Sequence, residues 1–279
     1  HCRLPMEQLI QPAIDLAEKG FAITLQEADL LNANKEKFEH YNKNSIAFVR
    51  NVPWKTGDLL IQKELAETLK RIQKLGQKGF YEGKTAELLV AEMKKGNGII
   101  TPEDLRNYTS VERKALEFDY KGTRVVSMPL PSSGGILLAQ MLKMASYENL
   151  EKYQQNSVKA VQVMVEAERR AYADRAEYMG DPGFIQDKTS YLISDEYLRN
   201  RWKNFSFSKA TPSAEVGKII KQSKESTETT HISVIDKEGN AAAVTTTLNG
   251  LYGSKVVVSG AGFFLNNEMD DFSIKPGVP

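Results

Sequence analysis

The sequence predicts an α+β chain. Three observations carry that reading: helix-period apolar spacing through roughly the first 205 residues, a serine- and lysine-rich connector over 206–228, and strand-like alternation from Thr229 onward. With 41% hydrophobic and 26% charged residues in a length of 279, the composition is that of a globular protein, long enough for one large domain or two small ones.

Composition also excludes several classes of function. Lys and Arg number 37 and Asp and Glu 36, a net charge of +1, which gives no electrostatic reason to expect nucleic acid as a partner. Cys2 is the only cysteine, so no intrachain disulfide or cysteine metal cluster can form, and a catalytic thiol is not expected. His1, His40 and His231 are scattered, without zinc-ligand spacing. No metal or cofactor is expected. Gly260 and Gly262 lack the third glycine and following helix of a nucleotide fingerprint. The most apolar run, residues 256–265, is about half the ~20 residues a helix needs to cross a bilayer. The chain starts at His1 and stops in the loop-like segment 275–279, so it reads as a fragment whose missing N-terminus could carry a targeting signal.

In the helical part, Leu65, Leu69, Ile72 and Leu75 recur at spacings that place them on one helical face. Thr101-Pro102-Glu103-Asp104 reads as a helix start: an N-cap hydroxyl, proline at the first position, then two acids at the positive end of the dipole. Residues 157–179 carry a long helical pattern, closed by Gly180 and Asp181-Pro182. Its charges, Glu166, Glu168, Arg169, Arg170, Asp174 and Arg175, read as a solvated or salt-bridged face rather than a site. Ser132, Ser133, Gly134 and Gly135 read as a loop ahead of a helix at Ile136. The connector mixes Ser206, Ser208, Ser213, Ser223 and Ser226 with Lys209, Lys218, Lys221 and Lys224, the composition of a mobile link.

From Thr229 the pattern changes. Residues 230–235 alternate, 236–240 form a turn, and 241–248 resume a run rich in Val and Thr. Residues 256–258 and 263–265 suggest two further short strands. A three-residue loop, Lys237-Glu238-Gly239, with Gly239 at the positive φ such loops require, sets Asp236 opposite Asn240 and Thr229 opposite Thr247. Facing residues have Cβ atoms roughly 5 Å apart, within reach of a hydroxyl–hydroxyl hydrogen bond. Asn249 falls on the same face two residues later. A one-residue slip would break this alignment.

Threonines are common in strands, so by itself this set reads as structural. An internal threonine has no base for its hydroxyl proton. A threonine that begins a chain does, because its own α-amine can take the proton. The question is whether a chain begins at Thr229.

The string ESTETTHISV at residues 225–234 resembles the processing site of the γ-glutamyltranspeptidases (glutathione hydrolases). TTTLN at 245–249 and LNNEMDDFS at 265–273 look like that family's substrate-binding segments. MPLPSSGG at 128–135 and EAERRAYADRAEYMGDP at 166–182 resemble it too, as do the weaker GDLLIQ at 57–62, FYEGKTAE at 80–87 and ITPEDL at 100–105. The matches run in order along essentially the whole chain.

The resemblance implies an N-terminal nucleophile hydrolase, an αββα sandwich that is incomplete in this chain. It implies a precursor that cuts itself between Glu228 and Thr229, leaving 1–228 as part of the large subunit and 229–279 as part of the small one, the two staying associated. Thr229 would be the nucleophile and, through its amine, the base. Thr247 would hydrogen-bond it. Asn249, Glu268 and Asp271 would hold the α-amino end of the γ-glutamyl group. His231 is expected to be a hydrogen-bonded structural histidine. The implied donors are glutathione and other γ-glutamyl compounds; the acceptors are water, amino acids and dipeptides. The implied location is periplasmic or extracellular. By the same resemblance the carboxylate-binding arginine lies before His1 and the oxyanion-hole serines and glycines lie after Pro279, so residues 1–279 alone are expected to lack turnover. Alternatives are a cephalosporin-type acylase, a poly-γ-glutamate transpeptidase, and an inactive homologue or binding module. Glu268 with Asp271 favours recognition of a free α-amino group.

Overall fold

The computed structural model describes residues 3–217 and 229–271. Residues 218–228, which hold the second half of the connector and Glu228, lie outside the described residues, as does 272–279. The described residues divide into two compact units, 3–110 with 229–271, and 111–217. This division does not coincide with the expected cut between 228 and 229, which concerns the covalent chain rather than its packing.

The first unit is built on six helices: α1 (Met6–Lys19), α2 (Leu25–Tyr41), α3 (Lys63–Leu75), α4 (Lys78–Tyr81), α5 (Gly83–Gly96) and α6 (Pro102–Asn107). A short antiparallel pair, β1 (Phe21–Ala22) with β2 (Leu59–Leu60), joins them. Capping boxes start α2 and α6. At α6 the Thr101 hydroxyl accepts from the Asp104 N–H, and the Asp104 carboxylate accepts from the Thr101 N–H at 2.7 Å. The hydrogen bonds from Thr101 hold the Asp104 carboxyl below its usual range. The stripe predicted on α3 lies on a helix, but its deepest residues are Ala66 and Thr68, while Leu75 is exposed. Small side chains there let another segment come close.

That segment is 255–265. Val257 packs in a cluster with Phe38, Phe48 and Trp54, and Val258 and Ala261 pack with Leu89, Val90 and Leu105. Side chains of the helices also hold its backbone. Asn42 donates to the Lys255 carbonyl and accepts from the Val257 N–H, both at 2.8 Å, and the Thr68 hydroxyl donates to the Ala261 carbonyl at 2.7 Å. Gly262, at φ +77°, lies so near the backbone of Leu65 that a Cβ would collide with it. The two strands expected at 256–258 and 263–265 reduce to a single bridge, Val257 to Phe264. Gly260 and Gly262, both at positive φ, turn the chain before a ladder can extend.

The predicted hairpin is present: after β3 (Leu116–Tyr120) and β4 (Thr123–Ser127), which belong to the second unit, β5 (Thr229–Ile235) pairs antiparallel with β6 (Ala241–Thr247). Gly239 has φ +84°, and the Asp236 N–H donates to the Asn240 carbonyl at 3.0 Å. The Asp236 carboxylate accepts from the Asn240 side chain and backbone, which keeps its carboxyl below the usual range.

The second unit opens with the hairpin of β3 (Leu116–Tyr120) and β4 (Thr123–Ser127), a strand pair the helical reading of this region did not include. Its two-residue turn, Lys121-Gly122, has positive φ at both positions, the geometry that matches the twist of the flanking strands. Then come α7 (Gly134–Ser146), α8 (Val158–Tyr178), α9 (Thr189–Leu192), α10 (Asp195–Trp202) and α11 (Ser213–Val216). Ile136 and Met144 of α7, Val163 and Ala167 of α8, and Leu198 and Trp202 of α10 make the core. Residues 132–135 form the loop and first turn ahead of Ile136, with the Arg175 guanidinium donating to the Ser133 hydroxyl at 3.0 Å.

Of the α8 charges, Glu166, Arg170 and Asp174 are salt-bridged on the core side and not toward solvent, while Glu168 is exposed. Glu166 is 3% exposed and Arg170 1%. Arg170 pairs with Glu166 one turn back and donates to Asn204 and Thr211, while Arg201 pairs with Asp174 at 3.0 Å. The same network anchors the first part of the connector. Glu166 accepts from the Thr211 N–H, Arg169 donates to the Thr211 carbonyl and the Ser213 hydroxyl, and Arg201 donates to the Val216 carbonyl. Residues 211–216 are thus docked, where composition alone predicted a mobile link. Among the described residues no helix is long and apolar enough to cross a membrane.

Candidate active site

The register of β5 and β6 sets the site. Thr229 faces Thr247, as the turn chemistry of Gly239 predicts. The Thr229 hydroxyl donates to the Thr247 hydroxyl at 3.3 Å, a long contact for two hydroxyls. The Thr247 oxygen also accepts from the Asn249 N–H at 2.9 Å. Thr229 therefore has a polar partner that is itself tied to the chain beyond the strand. Both strands are exposed, so this pair sits in the wetter part of the unit.

Asn249 departs from the expected placement. The ladder ends at Thr247, and Asn249 adopts a left-handed backbone at φ +68°. It therefore leaves the strand face and turns inward, becoming buried. Its side-chain Nδ2 donates to the Asn267 carbonyl at 3.0 Å. Asn267 immediately precedes a 3₁₀ turn, Glu268–Asp271, that carries both acids named by the sequence. The Glu268 N–H donates to the Asn266 side chain at 3.0 Å. Thr229, Thr247, Asn249 and Asn267 are thus linked in series, with Glu268 next in the chain and Asp271 closing the turn.

Sequence reasoning missed Asn267 as a participant. The available signal was an Asn-Asn pair ahead of a short acidic run, where a side-chain amide can bond to nearby backbone as in an Asx turn. His231 has a hydroxyl partner at each ring nitrogen, Thr245 at 2.7 Å and Ser233 at 3.0 Å, as expected for a histidine held in place by hydrogen bonds. An aligned pair of hydroxyls beside an amide and an acidic turn can place a nucleophile next to acceptors for a substrate cation.

The chain is similar to known proteins along its whole length. The sequence pattern of the family described as Gamma-glutamyltranspeptidase matches residues 1–279. The glutathione hydrolase proenzyme of Escherichia coli (strain K12) is 43% identical over 280 residues, covering 99% of this chain and 48% of that protein. The capsule biosynthesis protein CapD proenzyme of Bacillus anthracis is 36% identical, covering 96% of this chain and 47% of that protein. The crystal structure of Helicobacter pylori gamma-glutamyltranspeptidase superposes with a TM-score of 0.72 at 38% identity, covering 78% of this chain and 64% of that one. The chain spans about half the length of the curated relatives it matches. The expected fold class stands: mixed helix and strand, of the N-terminal nucleophile hydrolase type, with part of the sandwich in this chain. On its sequence and its structure alike, the chain belongs to the gamma-glutamyltranspeptidase family.

Proposed function

We propose that the whole protein is a γ-glutamyltransferase and glutathione hydrolase that severs itself between Glu228 and Thr229 and then uses Thr229 as its nucleophile. The observation that carries this reading is the Thr229–Thr247 hydroxyl contact, at the residue where the family resemblance starts a new chain. Cleavage would give Thr229 a free α-amine, a group whose ordinary pKa of roughly 7.7–8.0 suits a base near neutrality.

In turnover, the Thr229 oxygen attacks the donor's γ-carbonyl carbon and its proton passes to the α-amine. The C–N bond breaks, the leaving amine takes that proton, and a γ-glutamyl ester remains on Thr229. Cysteinylglycine is the leaving group when glutathione is the donor. Water or an acceptor amine then attacks the ester, gives up its proton through the same amine, and restores the hydroxyl. Asn249, Glu268 and Asp271 would accept hydrogen bonds from the donor's ammonium. A periplasmic or extracellular location belongs to the same proposal.

The test concerns what the acids recognise. Each hydrogen bond to a charged group is worth about 1.5–3 kcal/mol. Asp271→Ala should therefore lower kcat/KM for a γ-glutamyl anilide by about ten- to over a hundredfold. Glu268→Gln should cost less, since an amide oxygen still accepts one hydrogen bond. The parent should use a glutaryl anilide, which lacks the α-amino group, poorly, and that penalty should shrink in Asp271→Ala when both proteins are processed to the same extent. Equal discrimination in both would mean that Asp271 does not read the ammonium, and an acylase would be the better reading.

A further inference from the structure

Asn267 is not among the residues placed against the substrate, yet it holds two of the segments that are. Its side-chain Oδ1 accepts from the Gly250 N–H at 2.8 Å, and its Nδ2 donates to the Asp270 carboxylate at 2.7 Å. Its backbone carbonyl accepts from the Asn249 side chain and from the Asp270 N–H, both at 3.0 Å, and its N–H donates to the Leu248 carbonyl at 3.1 Å. Gly250 lets the amide approach: a Cβ there would lie 3.2 Å from the Asn267 oxygen.

Only an amide meets these demands together. One end must accept from a backbone N–H while the other donates to a carboxylate, and an asparagine supplies both at fixed separation. An aspartate would keep the acceptor but set a second carboxylate against Asp270, a like-charge contact that resists ionisation of both. The bond from Asn249 has a further consequence. With its nitrogen donating to the Asn267 carbonyl, the Asn249 amide has a set orientation.

We propose that Asn267 is a positioning residue for the α-amino site of the donor. It ties Asn249, at the exit of β6, to the acidic turn Glu268–Asp271 and holds the two segments in one register. The inference rests on the function proposed above and adds a residue to it.

The experiment uses the whole protein, self-processed, with γ-glutamyl and glutaryl anilides as donors. Asn267→Asp should raise KM for the γ-glutamyl donor by about 10–100-fold, the scale for losing hydrogen bonds to a charged group, with kcat within about threefold. KM for the glutaryl donor, which has no ammonium to place, should stay within about threefold. The exchanged pair, Asn267→Asp with Asp270→Asn, reverses the direction of the 267–270 hydrogen bond and keeps the acceptor for Gly250. It should bring the γ-glutamyl KM back to within about threefold of the parent. That rescue also covers the case in which Asn267→Asp alone folds poorly.

A parent-like γ-glutamyl KM in Asn267→Asp overturns the proposal. So does an equal KM rise for both donors, which marks general loosening, or an exchanged pair no better than the single variant. If instead the parent does not prefer the γ-glutamyl donor at all, it is the function proposed above that fails.

Discussion

Replacing Thr229 with alanine should leave a single uncut chain and lower γ-glutamyl turnover by about 10⁴-fold or more, the scale on which other enzymes lose rate with their nucleophile. Both losses follow from one atom. The hydroxyl that faces Thr247 is the proposed attacking group, and alanine keeps the backbone and the strand register while deleting it. Thr229→Ser retains a hydroxyl at the same position and should keep part of each activity. Thr247→Val is the informative neighbour. It removes the partner oxygen, and with it the acceptor for the Asn249 N–H, while keeping the branched shape that suits a strand. Gel analysis of processing, with anilide turnover on the same preparations, checks the series. An uncut Thr229→Ala chain beside a cut, active Thr229→Ser is the expected result. Parent-level turnover in Thr229→Ala would remove Thr229 from the mechanism.

The largest expected stability effect lies in the other unit, at Glu166. Breaking a buried ion pair by deleting one partner costs about 3–5 kcal/mol, because the remaining charge is left in the interior. Glu166→Ala should do this to Arg170, and it also takes the acceptors from Arg169 and the Thr211 N–H. Glu168→Ala, two residues along the same helix and exposed, should stay within about 0.5 kcal/mol. Denaturant unfolding followed by fluorescence separates the units. Within residues 1–279 the tryptophans are Trp54 in the first unit and Trp202 in the second, so in this chain a Trp54→Phe background reports on the second alone. Equal midpoints for the two alanine variants would contradict the burial described here.

Acid should reveal the same network. Burial acts to raise the Glu166 carboxyl, but hydrogen bonds from Arg170 and Thr211 outweigh it and leave the group below its usual range. A depressed carboxylate adds stability that is complete above the unfolded-state pKa and is lost as pH falls through the folded-state value. Asp174 runs the other way. Burial raises its carboxyl despite the nearby Arg201, so the fold takes up this proton more readily than the unfolded chain does, and the Asp174 contribution to stability grows as pH falls through its folded-state value.

What could be read from the sequence depended on how local the signal was. The Thr229–Thr247 pairing was legible because one glycine, Gly239, sets the loop, and the loop sets every pair behind it. Extrapolating the same alternation to Asn249 failed. Pairing stops at Thr247, and the left-handed backbone at Asn249 ends the period-two rule. The short strands at 256–258 and 263–265 failed for a related reason. Their apolar residues are buried against distant helices, and burial in either conformation gives the same apolar run.

The α8 charges show a signal that was present but read too lightly. Glu166, Arg170 and Asp174 recur every four residues and share a helical face with Val163, Ala167 and Ala171. Charges interleaved with small apolar residues on the core-facing stripe pointed to a buried network. The docking of 211–216 was not legible, because the groups that hold it come from α8 and α10 and its own composition resembles a linker.

The proposal stands most directly on where the small subunit begins. N-terminal sequencing and intact mass of the purified whole protein decide it. The account predicts two associated fragments, the smaller beginning Thr-Thr-His-Ile at Thr229. A single uncut chain, or a smaller fragment that starts at any other residue, would contradict it.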